Sequence, residues 1–580
     1  MNASLCFVQL RSAGIWAVRK EVFSCDDETF RCRWSVLIKP QSEQAGLSAP
    51  AGACAGENAR AVWIALSILA LVVVAVFANG VGGAFAFDDE PTILTNRSIR
   101  DLGNVGAIFS PPVDATTLGR PLANATLAIN YTVSGLEPWS YHVVNIMIHV
   151  GAALVLFGVV WRLLLLRARD GRFVGEEAWV ALAVAALWAV HPLQTESVTY
   201  VVQRVESLAG LCYLLTVFCF LRSVDAELKW RWQVGAVLAC LLGVGCKEIG
   251  VSAPLLVLLV DRTWVAGTFR EALRKRKWMY LGLFCSWVLL AVLVSGAANR
   301  SGTAGLGTAS SWQYLLTQCG AIVHYLRLVV WPAPLVFDHG NVLAGGLAEV
   351  WVKALVLCVL AVGTVVAIWR RSSWGVAGFW FFAILAPSSS VVPVLTQTVA
   401  EHRMYLPLAA VVTVAVLTAN KWFGRRALFA CAVPCLFWGG LSVLRNADYA
   451  TKVSIWADTV VKRPENWRAR NNLALALAEK GRAEEAVAEY EIVLVQVPGS
   501  AEVRNNYANA LVAVGRASDA LREIDRVVAA APQVAELIDT RGVVLVALGR
   551  KAEAAVCFRE ALRIKPELVE ARQHLAELER

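Results

Sequence analysis

Charge is scarce in this chain. Asp, Glu, Lys and Arg make up 17% of its 580 residues, where soluble domains carry about 25%. Hydrophobic residues make up 57% and the mean hydropathy is +0.55. That balance excludes an ordinary soluble globular protein and points to a polytopic membrane protein. Ordered cysteine spacing is also lacking. The 14 cysteines are scattered, and no pair has the spacing of a zinc site or a disulfide framework. Cys212, Cys219, Cys240 and Cys358 lie inside apolar runs and read as small buried apolar side chains. A signal-peptide pattern is absent as well, because the first apolar run begins near Ala61. The net charge of +9 does not indicate nucleic acid. Most basic residues before position 450 sit in short loops between apolar runs, where they set topology.

Residues 1–60 differ from the rest of the chain. They are mixed in charge, carry four cysteines and end in a stretch rich in Gly, Ala and Ser. They read as a poorly ordered cytosolic tail, or as the product of a start placed too far upstream.

Apolar runs long enough to approach a span of about 17–25 residues recur up to Leu444. They lie near 61–84, 141–166, 176–191, 205–222, 232–246, 249–262, 278–297, 351–369, 374–387, 404–419 and 426–444. Five basic loops follow alternate runs: RLLLLRARDGR, LRSVDAELKWRW, FREALRKRKW, WRRSS and KWFGRR. Short Lys/Arg-rich loops stay cytoplasmic. Placing all five inside puts the N-terminus inside and the acidic loop after Ala86 outside. It also requires YLLTQCGAIVHYLRLVVWP, from Tyr314, not to cross. About eleven spans result, and the C-terminus falls outside.

The region from Asn446 obeys another rule. Pro464, Pro498, Pro532 and Pro566 are each 34 residues apart, and Gly481, Gly515 and Gly549 keep the same phase. Small residues recur at Ala474, Ala508 and Gly542, and again at Ala486, Ala520 and Ala554. Large ones come next at Tyr490, Ile524 and Phe558. This is the tetratricopeptide pattern of paired helices, small where the helices touch, with proline ending the second. It predicts three full repeats with capping helices, stacked into an α-solenoid with a concave groove. The fold class expected is therefore all-α: a membrane helical bundle over 61–445, then a repeat domain over 446–580.

The predicted topology gathers the unusual ionisable residues onto the outer face. Asp88, Asp89 and Glu90 stand in the first outer loop, 85–140. His191, Glu196, Arg204 and Glu206 come next, then Lys247 and Glu248, then Asp338 and His339, and last Glu401, His402 and Arg403. Charges at membrane depth are costly and are retained for pairing or function. A carboxylate can take the proton of an alcohol. Arg and Lys can hold a phosphate leaving group. The set suits transfer of a sugar from a lipid-linked phosphate to a hydroxyl.

The motifs FDDEP…N, RPL…NY…GL.PW.YH..N..IH, HP..TE.V..V..R.E, KE.G, WP and E.R.YLP run in this order and precede the repeats. Together they resemble the transmembrane-and-tetratricopeptide-repeat protein O-mannosyltransferases, membrane glycosyltransferases of the GT-C class, from about residue 61 to 580. The resemblance implies an inverting transfer of a sugar, expected to be mannose, from a polyprenyl-phosphate donor to protein hydroxyls on the extracytoplasmic face. It places the essential acid of the first outer loop on Asp89 and Glu90, with Asp88 beside them. Asp89 is the first candidate for the base and Asp88 the second. It assigns Arg403 to the donor phosphate, with Glu401, Arg204 and Lys247 in the same role. His142, His191 and His402 are secondary candidates for donor or acceptor contact.

Some members of the class use a divalent metal, and the acid run is where one would bind. The repeats are expected to hold acceptor proteins in their groove. A composition rich in Ala, Arg and Val suggests a bacterial chain, in which the outer face is periplasmic and the sequons at Asn96, Asn124 and Asn130 stay unmodified. The competing reading is an inactive membrane-anchored scaffold whose repeats recruit periplasmic partners.

Overall fold

The computed structural model describes residues 51–168, 175–298, 310–390, 393–394 and 397–580. Residues 1–50 of the expected tail lie outside them. The described chain is helical almost throughout, and Glu57–Arg580 pack as one unit.

Every one of the eleven apolar runs contains helix. Among the described residues six helices are long and apolar enough to cross a membrane: Ala59–Gly80, Trp139–Leu166, Val201–Asp225, Lys277–Ser295, Leu347–Trp369 and Arg425–Asp448. The number rises to eight if each of two bent pairs is one span, and Ser373–Leu385 and Pro407–Phe423 are shorter apolar helices. The shortfall from eleven has a local cause. The run at 176–191 is broken by Pro192, and the chain bends by 58° between Glu177–Ala189 and Pro192–Thr199. The run at 232–246 forms only the 16-residue helix Lys229–Val244, which is about 24 Å long against a hydrocarbon core of about 30 Å.

Helix Leu347–Trp369 shows how the bundle meets its surroundings. Only 6% of its apolar window is buried, and Val359, Val362 and Val365 are exposed. An apolar helix that bare is stable with lipid around it, not water. Inside the bundle the helices approach closely. A Cβ at Gly210 would lie 2.6 Å from the Tyr405 ring, so only glycine lets helix Arg204–Asp225 meet that residue. The segment from Tyr314 forms helix Ser311–Val330, which is not among the membrane-length apolar helices. Its Tyr314 donates to Ser388 O at 2.8 Å, and Tyr325 accepts the Ala400 N–H at 2.8 Å.

The repeat region keeps its 34-residue register. Gly481, Gly515 and Gly549 end the first helix of each pair with φ of 75°, 78° and 76°, a conformation glycine adopts at little cost. Tyr490, Ile524 and Phe558 are fully buried. Arg482–Glu485, Arg516–Asp519 and Arg550–Glu553 repeat one surface ion pair at each step. Helix Lys452–Lys462, just ahead of the first repeat helix, docks on the membrane bundle and its loops. Lys462 Nζ donates to Leu335 O at 2.9 Å, and Arg445 pairs with Asp458 at 2.5 Å.

Candidate functional site

The chain leaves its first long helix through Ala78–Gly80 and turns at Phe87. Phe87 has φ +50°, rare for a bulky side chain. Packing holds it there. Its ring meets Phe337 at 6.4 Å and Trp456 at 5.5 Å, edge-on, and the Arg468 guanidinium lies 5.7 Å from its centre. Strained backbone over-determined by packing is common where a loop must present a side chain.

The two aspartates after Phe87 have different surroundings. Asp89 is fully buried. Its carboxylate accepts the N–H of Ala86 at 3.0 Å and of Val202 at 2.8 Å, tying the loop to the start of helix Arg204–Asp225. Burial pushes its pKa up to about 8, against the pull of those two N–H groups. Asp88 is partly exposed. Its N–H donates to Tyr200 Oη at 2.8 Å. Burial raises its pKa to about 6, with Arg468 the largest opposing influence and Arg120 a smaller one. Glu90 is exposed and opens the turn Glu90–Leu94.

A second carboxylate closes this end of the site. Asp338 accepts from Arg468 through both oxygens, at 2.9 and 2.5 Å, and from Asn466 at 3.1 Å. Burial acts to raise its pKa, and the Arg468 pair and the Asn466 bond outweigh it, so Asp338 stays below the usual range. Arg468 belongs to the first repeat helix, Trp467–Glu479. The acid loop, the loop after helix Ser311–Val330 and the repeat domain therefore meet at one place.

The remaining predicted residues form a buried polar belt. Glu196 takes both the ring Nδ1 of His402, at 2.7 Å, and the His402 N–H, at 2.8 Å. Lys247 pairs with Glu206 at 2.5 Å, and Arg120 with Glu248 at 3.2 Å. Glu401 accepts the Val336 N–H at 2.8 Å and meets His339 Nε2 at 3.2 Å. Arg403 is buried, and its partners are the neutral oxygens of Gln318, Ser389, Gln397 and Thr398. No ion pair to a carboxylate holds it among the described residues.

The other predicted residues have local partners. Arg204 is 1% exposed and directs its donors to Asn145, Asn130, Thr126 and Tyr141 O, so it braces the loop after the first long helix. Lys247 is neutralised by Glu206. His142 packs under the loop with Nε2 3.1 Å from Gly83 O. His191 caps the turn at Pro192, with its ring 4.4 Å from Trp438. The acid run does not converge as a metal set either. Among the described residues the group with that geometry is His324, His339 and Glu401. The sequon asparagines Asn96, Asn124 and Asn130 are all buried and hydrogen-bonded.

Tyr200, Arg120 and Arg468 escaped sequence reasoning. Tyr200 carries no pattern, and Arg120 heads the RPL motif without any sign there that it would face the acid loop. Arg468 does carry a pattern: the same repeat position holds Glu502, Glu536 and Glu570 in the later units, and only the first repeat places a cation there. A cavity of about 720 Å³, lined mostly by apolar side chains, lies elsewhere, along helix Pro407–Phe423 between Trp380 and Lys421.

Three models described as "Tetratricopeptide repeat" match residues 440–501, 477–539 and 535–568. Protein O-mannosyl-transferase Tmtc2 of Drosophila melanogaster is 32% identical over 289 residues, covering 46% of this chain and 29% of that protein. Protein O-mannosyl-transferase TMTC4 of Homo sapiens is 26% identical over 484 residues, covering 73% of this chain and 65% of that protein. The chain is similar in sequence to these two proteins. It spans less than two thirds of the length of either. The crystal structure of ArnT from Cupriavidus metallidurans bound to undecaprenyl phosphate is also similar, at 15% identity and a TM-score of 0.38, over 82% of this chain and 80% of that one. In this chain the repeat domain is joined to the membrane bundle, and its first helix supplies a side chain to the acid loop.

Proposed function

We propose that this chain is a membrane glycosyltransferase that moves a sugar, mannose by kinship, from a polyprenyl-phosphate donor to protein hydroxyls on the extracytoplasmic face. The observation that carries the reading is Asp88. It is the partly exposed acid of the loop, held by Tyr200 and faced by Arg468 and Arg120, in a chain similar in sequence to protein O-mannosyl-transferases. Asp88 takes the acceptor's hydroxyl proton. The acceptor oxygen attacks the anomeric carbon from the face opposite the phosphate, and the bond from that carbon to the phosphate oxygen breaks. Polyprenyl phosphate leaves and the configuration inverts. Asp89, tied to two backbone N–H groups, keeps the loop in place and does not touch the acceptor. Arg403 meets the leaving phosphate, because it is a buried cation whose partners leave its charge unmatched, and guanidinium geometry suits phosphate oxygens.

The repeat groove presents the acceptor segment beside Asp88. The docking of Arg468 and Asn466 on Asp338 supports this. The test uses membranes holding the chain or its Asp88→Asn variant, a labelled polyprenyl-phosphate sugar and a Ser/Thr-bearing acceptor protein. Transfer is expected with the first and lost with the second. Transfer that is equal in membranes without the chain would sink the proposal.

A further inference from the structure

The sugar transfer uses neither His324 nor His339, yet the two lie together with Glu401 in one compact group. One ligand atom from each of the three falls within 4.8 Å of the others. His339 Nε2 is 3.2 Å from Glu401 Oε1, and the two imidazole rings stand nearly perpendicular with centres 5.6 Å apart. Glu401 is fixed in place by the Val336 N–H. His324 Nε2 is buried and has no hydrogen-bond partner. A buried polar nitrogen left unpaired carries a desolvation penalty that a ligand would relieve.

The three residues come from three elements: helix Ser311–Val330, the loop after it and the turn Glu401–Met404. Two imidazoles and one carboxylate are a donor set that zinc uses with its fourth position open. Zinc ligands at about 2.0–2.1 Å from the ion stand about 3.4 Å from one another in a tetrahedron. The His339–Glu401 pair already meets that spacing, and a side-chain rotation of His324 closes the rest. Magnesium and calcium demand oxygen ligands and do not suit this set.

We propose that His324, His339 and Glu401 form a binding site for a divalent cation of the zinc class, with one coordination position left for water or a substrate oxygen. The proposal does not depend on the transfer reaction. Arg463 approaches His339 Nδ1 at 3.3 Å. When Nε2 binds the ion, Nδ1 carries the proton and Arg463 must swing aside, keeping its other partner Glu465. The site would clamp the loop 331–340 onto the turn at Glu401. That loop carries Asp338, the partner of Arg468.

The full chain is purified in detergent, stripped with chelator, reloaded with zinc and passed over a desalting column. The wild type is compared with His324→Ala, and with His574→Ala as a control outside the site. Wild type and control are expected to keep about one more zinc per chain than His324→Ala. The difference is the readout, because it subtracts zinc held anywhere else on the chain. Cobalt in place of zinc should give the visible absorption of a tetrahedral nitrogen–oxygen site in the wild type and the control, and not in His324→Ala. Thermal unfolding should rise with zinc in the wild type and not in His324→Ala. Equal zinc content in wild type and His324→Ala, with an unchanged cobalt spectrum, would overturn the assignment. If His324→Ala does not fold, His324→Gln keeps a polar side chain and serves for the same comparison.

Discussion

Asp88 and Asp89 are neighbours, and their exchange for amide or alanine separates their roles. Asp88 is partly open, and its backbone N–H is held by the Tyr200 hydroxyl. Asp88→Asn keeps that backbone contact and removes the base. The fold should survive, and transfer should fall by about 10²–10⁴-fold, the usual worth of a positioned base. The wild-type rate should rise with pH through about 6, since the base works only once ionised and burial holds its pKa there. Asp88→Asn should lose that limb. Asp89→Ala should behave otherwise. It strips the acceptor from two buried N–H groups, those of Ala86 and Val202. Each such orphan costs about 1–3 kcal/mol, so about 2–6 kcal/mol is at stake. The assay pairs thermal unfolding in detergent with sugar transfer across pH. A folded Asp88→Asn protein with full activity, alongside a folded and inactive Asp89→Asn protein, would refute the assignment and make Asp89 the base.

Arg468→Gln removes the strongest influence holding Asp88 below its purely buried value. Its acid limb should therefore move to higher pH, an effect that loss of folding alone would not give. Asp89 titrates the other way in stability. Its folded pKa is raised, from 3.8 to about 8, so its contribution is full in acid and is lost as pH rises through about 8; Asp89→Asn should flatten that slope in unfolding measured against pH. Gly542→Ala would bring a Cβ to 2.4 Å from the Phe558 ring, and overpacking of that kind costs about 1–3 kcal/mol, visible as an earlier melt of the repeat region. A topology reporter fused after Arg580 should be active outside the cytosol; cytosolic activity would overturn the sidedness of the proposed site.

The sequence alone determined the class of this protein, because hydropathy and period are local properties. Runs of apolar residues must be helical in lipid to satisfy their backbone, and each of the eleven contains helix. The 34-residue phase of Pro464, Gly481 and Tyr490 dictated paired helices, since small and large residues at fixed spacing can pack in few other ways. The acid loop was legible too, as charge stranded at the end of an apolar run. The tertiary structure decided what charge alone could not. Asp89 turned out to be the buried anchor and Asp88 the accessible acid, because the strained turn at Phe87 points adjacent side chains to opposite surroundings. Arg204 became a brace once Asn130, Asn145 and Tyr141 O surrounded it. Arg468 lies 130 positions from its partner Asp338, and its meeting with the acid loop depends on how the repeat domain docks. A residue's type is local, but its ionisation and its partners are set by what the fold brings around it.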